Sequence, residues 1–259
     1  MFLEPIILYP VIFFIGLLFG SFSNVCIIRM PKEQSILGRS ICNKCKKKIL
    51  WFDNIPLLSF FFLGGKCRAC KNKISIQYPI NELLVACIYL LTFYIFGLTF
   101  NSLYFILIFN IFFCIALIDY KHFIIPNELN YLLIGTGLLK NIDPHLNLHF
   151  FDQGLSSFVG CALGYLIIWV IIYLYKALKN LEAMGLGDAK LLAGIGAWFG
   201  VESVFLSLFF GSVIGLVAVI PSLMKKKKGL KTAIPFGPFI ILGCLGYIIF
   251  GKKLLSFMI

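Results

Sequence analysis

Charge is what this chain has least of. Only 13% of its 259 residues are Asp, Glu, Lys or Arg, and only 11 are acidic, against 60% hydrophobic. Soluble domains are roughly 45–50% apolar, and a soluble core of this composition would leave large apolar patches exposed to water. A soluble globular domain is therefore excluded. Period-two alternation is also missing: the apolar runs are continuous, which excludes a membrane β-barrel. The histidines are only His122, His145 and His149, too scattered to form a metal trio. No glycine-rich loop of Rossmann type is visible. No internal repeat is evident, which weighs against a transporter built from repeated halves. The first apolar run has no basic segment before it and no small-residue cleavage site after it, so it reads as a retained anchor.

What is present is a succession of apolar runs, at about 6–28, 80–97, 102–118, 124–139, 155–175, 189–200, 203–223 and 233–250. A spanning helix needs about 20 apolar residues, so the fourth and sixth runs are short. The expected fold is an all-α polytopic membrane protein with about eight transmembrane helices and a small cytoplasmic, zinc-ribbon-like loop domain after the first helix. Three parts follow: a first transmembrane helix over 1–28, a four-cysteine loop domain over 29–79, and a transmembrane core over 80–259.

The net charge of +12 is concentrated: residues 29–73 carry eleven of the 23 Lys and Arg, and Lys225–Lys228 with Lys231 add five more. In a soluble chain this would point to nucleic acid. Beside apolar spans it points to loops held in the cytoplasm against anionic membrane lipid, with no nucleic-acid partner. With the N-terminus outside and eight alternating crossings, only Lys140, Lys252 and Lys253 fall on the outer side.

Two carboxylates stand out in this setting. Asp119 ends the run Leu103 to Ile118, and Asp188 opens another run within Gly185-Leu186-Gly187-Asp188-Ala189-Lys190. Ionisable residues at membrane depth are costly and mark function. Two crossings separate them, so they share the cytoplasmic face and can meet. A pair of close carboxylates points to acid–base hydrolysis without a metal. The segment from 189 to 200 covers only about 18 Å as a helix, which predicts that its start, with Asp188, is sunk into the membrane. Individually, Asp119 also reads as a helix-end residue and Asp188 as a helix cap. Asp53, Asp143 and Asp152 read as solvated loop residues, and Glu82 as either structural or functional.

Between the first two apolar runs, Cys42-Asn43-Lys44-Cys45 and Cys67-Arg68-Ala69-Cys70 form two C-x2-C pairs. Each pair offers two thiolates to one tetrahedral ion, the signature of a closed structural zinc site, and a cytoplasmic location disfavours disulfides. Cys42, Cys45, Cys67 and Cys70 are the expected ligands. Cys26, Cys87, Cys114, Cys161 and Cys244 lie singly in apolar runs and read as packing residues.

Taken together, these residues resemble the type IV prepilin peptidase family, membrane aspartyl proteases of the GxGD type. The resemblance runs through Gly20-Ser21-Phe22-Ser23-Asn24, Arg29 and Pro31, both cysteine pairs, and Asn54 to Ser59 between them. It continues through Tyr78-Pro79 with Glu82, Asp119 with Ile125-Pro126-Asn127, Gly185 to Lys190, and Pro235-Phe236-Gly237-Pro238. It implies that Asp119 and Asp188 are catalytic and that the four cysteines bind metal. Two positions depart from the family pattern: Asn43 stands where proline is frequent, and Asn127 where aspartate is frequent. The resemblance further implies a bacterial inner-membrane, multi-pass enzyme whose active site and cysteine loop face the cytoplasm. Its substrates would be prepilins and pseudopilins, cut after a leader glycine. The new N-terminus would then be methylated with S-adenosylmethionine, whose binding residues no motif identifies. A peptidase without methyltransferase activity, and an ion or proton transporter using buried aspartates, are the alternatives.

Overall fold

A computed structural model describes residues 3–143, 154–180, 184–224 and 234–258 of the chain. Lys225–Lys228, Lys231, His145, His149 and Asp152 lie outside the described residues. Among those described there is no β-strand, only two isolated bridges, and the structure is helical. The helices are α1 (Leu3–Arg29), α2 (Leu58–Phe62), α3 (Gln77–Phe96), α4 (Phe100–His122), α5 (Asn127–Leu139), α6 (Leu155–Lys179), α7 (Leu186–Met224) and α8 (Gly237–Met258). The chain divides into two compact units, Met1–Cys114 and Ile115–Ile259, with α4 passing from one into the other.

Every apolar run is helical over most of its described residues, but eight spans are not confirmed. Among the described residues, five helices are long and apolar enough to cross a membrane: Ile7–Lys32, Gln77–Phe96, Phe100–His122, Leu155–Lys179 and Leu186–Ile220. Helix α5 has 13 residues, about 20 Å at helical rise. The runs expected as separate sixth and seventh helices form one helical segment, interrupted by non-helical Gly200 at φ 77° and ψ −170°. The chain folds back there. A Cβ on Gly196 would lie 2.9 Å from the Val204 side chain, whereas residues eight apart on a straight helix are separated by about 12 Å. Hydropathy registers both arms as apolar and is blind to a reversal made by one residue in a conformation that suits glycine.

In the first unit α1 and α3 run antiparallel: Gly16 meets Ala86 and Tyr89, Gly20 meets Glu82, and the Asn24 amide donates to the Tyr78 carbonyl at 3.1 Å. The loop between them carries the cysteines. In the second unit α6 packs antiparallel on the first arm of α7, with Gly160 opposite Gly196 and Gly164 opposite Leu192. A Cβ on Gly160 would come within 2.7 Å of the Gly196 carbonyl oxygen, so only glycine allows the two backbones to approach this closely. Helix α5 lies parallel to the same arm: Leu133 packs at Gly194, and the Trp198 indole N–H donates to the Leu133 carbonyl at 3.0 Å. Helix α8 returns alongside, with Phe239 at Gly211 and Tyr247 at Phe199.

Candidate active site

Both singled-out carboxylates fall in the second unit, at one end of this packing. Asp119 lies one turn before the end of α4, and Asp188 in the first turn of α7. Both are buried, at 5% and 9% exposure, and they lie within Coulombic reach of each other. The Gly237 N–H, at the start of α8, donates to Asp119 Oδ2 at 2.9 Å. Orphan N–H groups at a helix start suit an anion. A Cβ on Gly237 would sit 2.8 Å from that oxygen, so glycine is what lets the α8 backbone reach the carboxylate. Ile125, in the turn between α4 and α5, fills the space beside both Gly187 and Gly237.

The start of α7 is held from α5. The Asn130 amide donates to the Gly187 carbonyl at 3.2 Å, and Asn130 is fully buried with its own Oδ1 unpartnered. Lys190 Nζ donates to Asn127 Oδ1 at 2.6 Å and to the Tyr131 hydroxyl at 3.1 Å, with the cation over the Tyr131 ring. Asn127, the departure noted in the sequence, therefore accepts a hydrogen bond from a lysine two residues past Asp188. No sequence signal linked the two.

Asp188 lies below the level at which α6 ends. With Gly164 level with Leu192 and the helices antiparallel, helical rise places Asp188 about 12 Å short of the level of Lys176. A cleft of about 370 Å³ occupies this overhang, lined by Trp169, Ile172, Tyr173 and Lys176 of α6 and by Met184, Gly185 and Leu186. Two buried carboxylates within Coulombic reach disfavour ionising together, and such a pair can offer one protonated and one ionised group to a substrate.

The cysteines form a second site, within the first unit. The sulfurs of Cys42, Cys45, Cys67 and Cys70 all lie within 4.8 Å of one another, with Cys42 and Cys70 at 3.8 Å, and all four thiols are free of disulfides. Four thiolates at this spacing suit a tetrahedral zinc ion. Cys42 is pulled down to about 6, first by the Cys45 backbone N–H and then by that of Lys44, so it is a thiolate at neutral pH. The structure also shows a repeat that reading the sequence missed. Cys42 N–H donates to Lys47 O and Lys46 N–H to Cys42 O; 25 residues on, Cys67 N–H donates to Asn72 O and Lys71 N–H to Cys67 O. Lys46 and Lys71 share the left-handed backbone, at φ 59° and 57°. The pattern Cys-Lys-x-Lys-Ile at 45–49 and 70–74 was the available signal. Asn43, the other departure, donates to the Tyr78 hydroxyl at 3.2 Å and ties the first knuckle to α3.

Comparison with known proteins bears on both units. Residues 14–96 match the bacterial peptidase A24 N-terminal domain, and residues 105–220 match the type IV leader peptidase family. The chain belongs to that family. Curated members named prepilin leader peptidase/N-methyltransferase include one from Xanthomonas campestris, 31% identical over 93% of this chain and 90% of its own length. Others are from Pseudomonas aeruginosa, 33% identical over 87% and 84%, and Neisseria gonorrhoeae, 34% identical over 93% and 89%. No solved structure matches. With five helices of spanning length, this member of the family is a multi-pass membrane protein.

Proposed function

We propose that this chain is a prepilin leader peptidase and N-methyltransferase of the bacterial inner membrane, with Asp119 and Asp188 as its catalytic pair. The observation that carries the reading is the meeting of two buried carboxylates from α4 and α7, in a chain whose relatives carry that name. The transporter alternative finds no support among these relatives.

The substrate's leader junction lies extended in the cleft beside Gly185, with its hydrophobic helix in the bilayer. One aspartate takes a proton from a water whose oxygen attacks the carbonyl carbon of the leader glycine. The other protonates the carbonyl oxygen. The tetrahedral intermediate then collapses as the C–N bond breaks and the amine leaves with a proton from the first aspartate. Because the pair titrates as a unit, neither role belongs to one residue. Gly237 N–H fixes the Asp119 carboxylate through this cycle.

Cys42, Cys45, Cys67 and Cys70 hold a structural zinc ion that clips the loop domain of residues 29–79. S-adenosylmethionine, when bound, supplies the methyl group for the new N-terminal amine. The basic loops place the loop domain and the aspartates at the cytoplasmic face. Substrates are prepilins and pseudopilins, and the surrounding partner is anionic lipid. Eight crossings, with the two arms of α7 counted separately, agree with that charge distribution.

The test is cleavage of a prepilin in liposomes containing S-adenosylmethionine, read by intact mass. Wild type is expected to remove the leader and add one methyl group. Asp119→Asn and Asp188→Asn each reduce cutting by at least about a thousandfold, the order expected for removing a member of an acid–base pair. Cutting at the wild-type rate by either variant ends the paired-aspartate mechanism. Leader removal without the added methyl mass reduces the function to peptidase alone.

A further inference from the structure

Three of the five residues of α2 point away from the protein. Leu58, Phe61 and Phe62 are 51%, 74% and 86% exposed, and their spacing of three and four puts them on one helix face. Ser59, Phe60 and Leu63 face the other way, onto a cavity that α1 and α3 also line. Two nearly bare phenylalanines beside a leucine form a patch that water disfavours.

The depth of α2 is set by α3. The exposed apolar stripe of that spanning helix runs through Ile76, Ile80, Leu83, Leu84, Leu91 and Ile95. It is about 28 Å long at helical rise, which matches the roughly 30 Å of bilayer hydrocarbon. Ile76 thus marks one edge of the hydrocarbon. The Leu57 N–H, at the start of α2, donates to Glu82 Oε2 at 2.9 Å, and Glu82 lies about 8 Å along α3 from Gln77. The chain therefore leaves α1, turns back and begins α2 alongside the first turns of α3, at that edge. Leu57 is held at φ 59°, a conformation unfavourable for leucine, and Glu82 accepts its N–H where water is scarce. A strained leucine and a carboxylate at 8% exposure both cost free energy, and together they fix α2 at this level.

Charge points the same way. Between Asp53 and Glu82 the chain carries Lys66, Arg68, Lys71 and Lys73 and no carboxylate, and Asp53 itself is paired with Arg68. Lys66 and Lys73 face each other across an isolated bridge just beyond α2. An apolar face flanked by lysines is what a segment lying in a membrane interface carries. It complements acyl chains with anionic headgroups beside them.

We propose that α2 is an interfacial anchor for the cysteine loop. Leu58, Phe61 and Phe62 insert among the acyl chains of the leaflet on the loop's side, and Lys66, Lys71 and Lys73 rest against its headgroups. The loop is then fastened to the membrane between α1 and α3 as well as at them. This requires only that the helices span a membrane, whatever reaction the aspartates carry out.

The test uses the full chain in liposomes, with Phe62→Trp as reporter in a background of Trp51→Phe, Trp169→Phe and Trp198→Phe. Phe60→Trp in the same background reports the inward side. Lipids brominated near the start of the acyl chain quench a tryptophan inserted there, and aqueous iodide quenches one left in water. Phe62→Trp is expected to show blue-shifted emission, strong quenching by the brominated lipid and weak quenching by iodide, with Phe60→Trp insensitive to the bromines. Red-shifted emission quenched by iodide overturns the proposal, and so does equal bromine quenching of the two reporters. Bromine quenching that added prepilin relieves overturns it too, and makes the face a docking site for the substrate's apolar helix. Wild type gives a measurement independent of any variant's folding. A phospholipid with a carbene-generating group on its acyl chain is photolysed in the same liposomes, and labelled peptides are mapped by mass. Label on Leu58–Phe62 is expected alongside label on the spanning helices, and label confined to those helices overturns the proposal. Label on Leu58–Phe62 that falls as the protein-to-lipid ratio rises, while the helices stay labelled, assigns the face to a second copy of the chain and overturns it as well.

Discussion

Cys42 is pulled down to about 6, well below an ordinary thiol, by the backbone N–H groups of Cys45 and Lys44. While the Cys45 and Lys44 backbone N–H groups of the knuckle stay in place, about half of Cys42 is thiolate at pH 6, whereas an ordinary cysteine is almost wholly protonated. Low-pKa thiolates are intrinsically less nucleophilic, which offsets part of the advantage. Cys42 should still alkylate several-fold faster than the thiol of a free cysteine peptide at pH 6, with the gap narrowing as the pH rises towards about 8.5. Mass spectrometry of labelled peptides checks this, and equal labelling at pH 6 refutes it. Asn130 gives a second single-residue prediction. Asn130→Ala removes the donor to the Gly187 carbonyl, leaving that oxygen without its side-chain partner next to the proposed dyad. Cleavage should fall about tenfold, corresponding to one hydrogen bond of about 1–1.5 kcal/mol, while binding of the methyl donor stays at wild-type strength. A wild-type cutting rate would show that Asn130 does not position the Gly185–Asp188 turn.

At the scale of helices, two glycines give opposite predictions for the same substitution. Gly135 on α5 has open space where a Cβ would go, so alanine should be neutral or stabilising by up to about 1 kcal/mol through helix propensity. On α6, a Cβ at Gly160 meets the backbone of α7, and alanine there should destabilise by about 1–3 kcal/mol. Thermal unfolding in detergent should therefore separate Gly135→Ala from Gly160→Ala by several degrees, and coincident transitions would mean α6 and α7 do not pack through Gly160. Helices, thiol pairs and aspartates were readable in the sequence because each leaves a local trace: an apolar run, a fixed spacing, a charge where none is cheap. Three features left no such trace. The reversal at Gly200 depends on one backbone conformation. The partnership of Asn127 with Lys190 depends on α5 lying parallel to α7. The approach of Gly237 to Asp119 joins residues 118 positions apart. The repeated knuckle was readable, but a search for long periods passes over a motif of about eight residues.

For the molecule as a whole, the thiol cluster and the aspartate pair lie in different compact units. Stripping the metal should therefore loosen residues 33–76 and leave the second unit folded. Limited proteolysis of chelated protein is expected to cut first within that loop, while the fluorescence of Trp198, fully buried in the second unit, holds in a variant lacking the other tryptophans. Early cleavage elsewhere, or an early shift of Trp198 emission, would mean the metal supports the whole chain.

The overhang of α6 above Asp188 sets a condition on whatever is cut. A chain entering from the level of Lys176 must cover about 12 Å to reach the carboxylates, which takes about eight residues as a helix but only about four when stretched. Helical peptide bonds are also occupied by their own hydrogen bonds and shielded by side chains. With Asp119 and Asp188 as the proposed catalytic pair, access to them selects for segments that melt easily, and a glycine at the junction lowers the free energy of melting. Turnover should then track the local unwinding equilibrium of the substrate, so the enzyme reads how loosely a helix begins as well as which residues it contains.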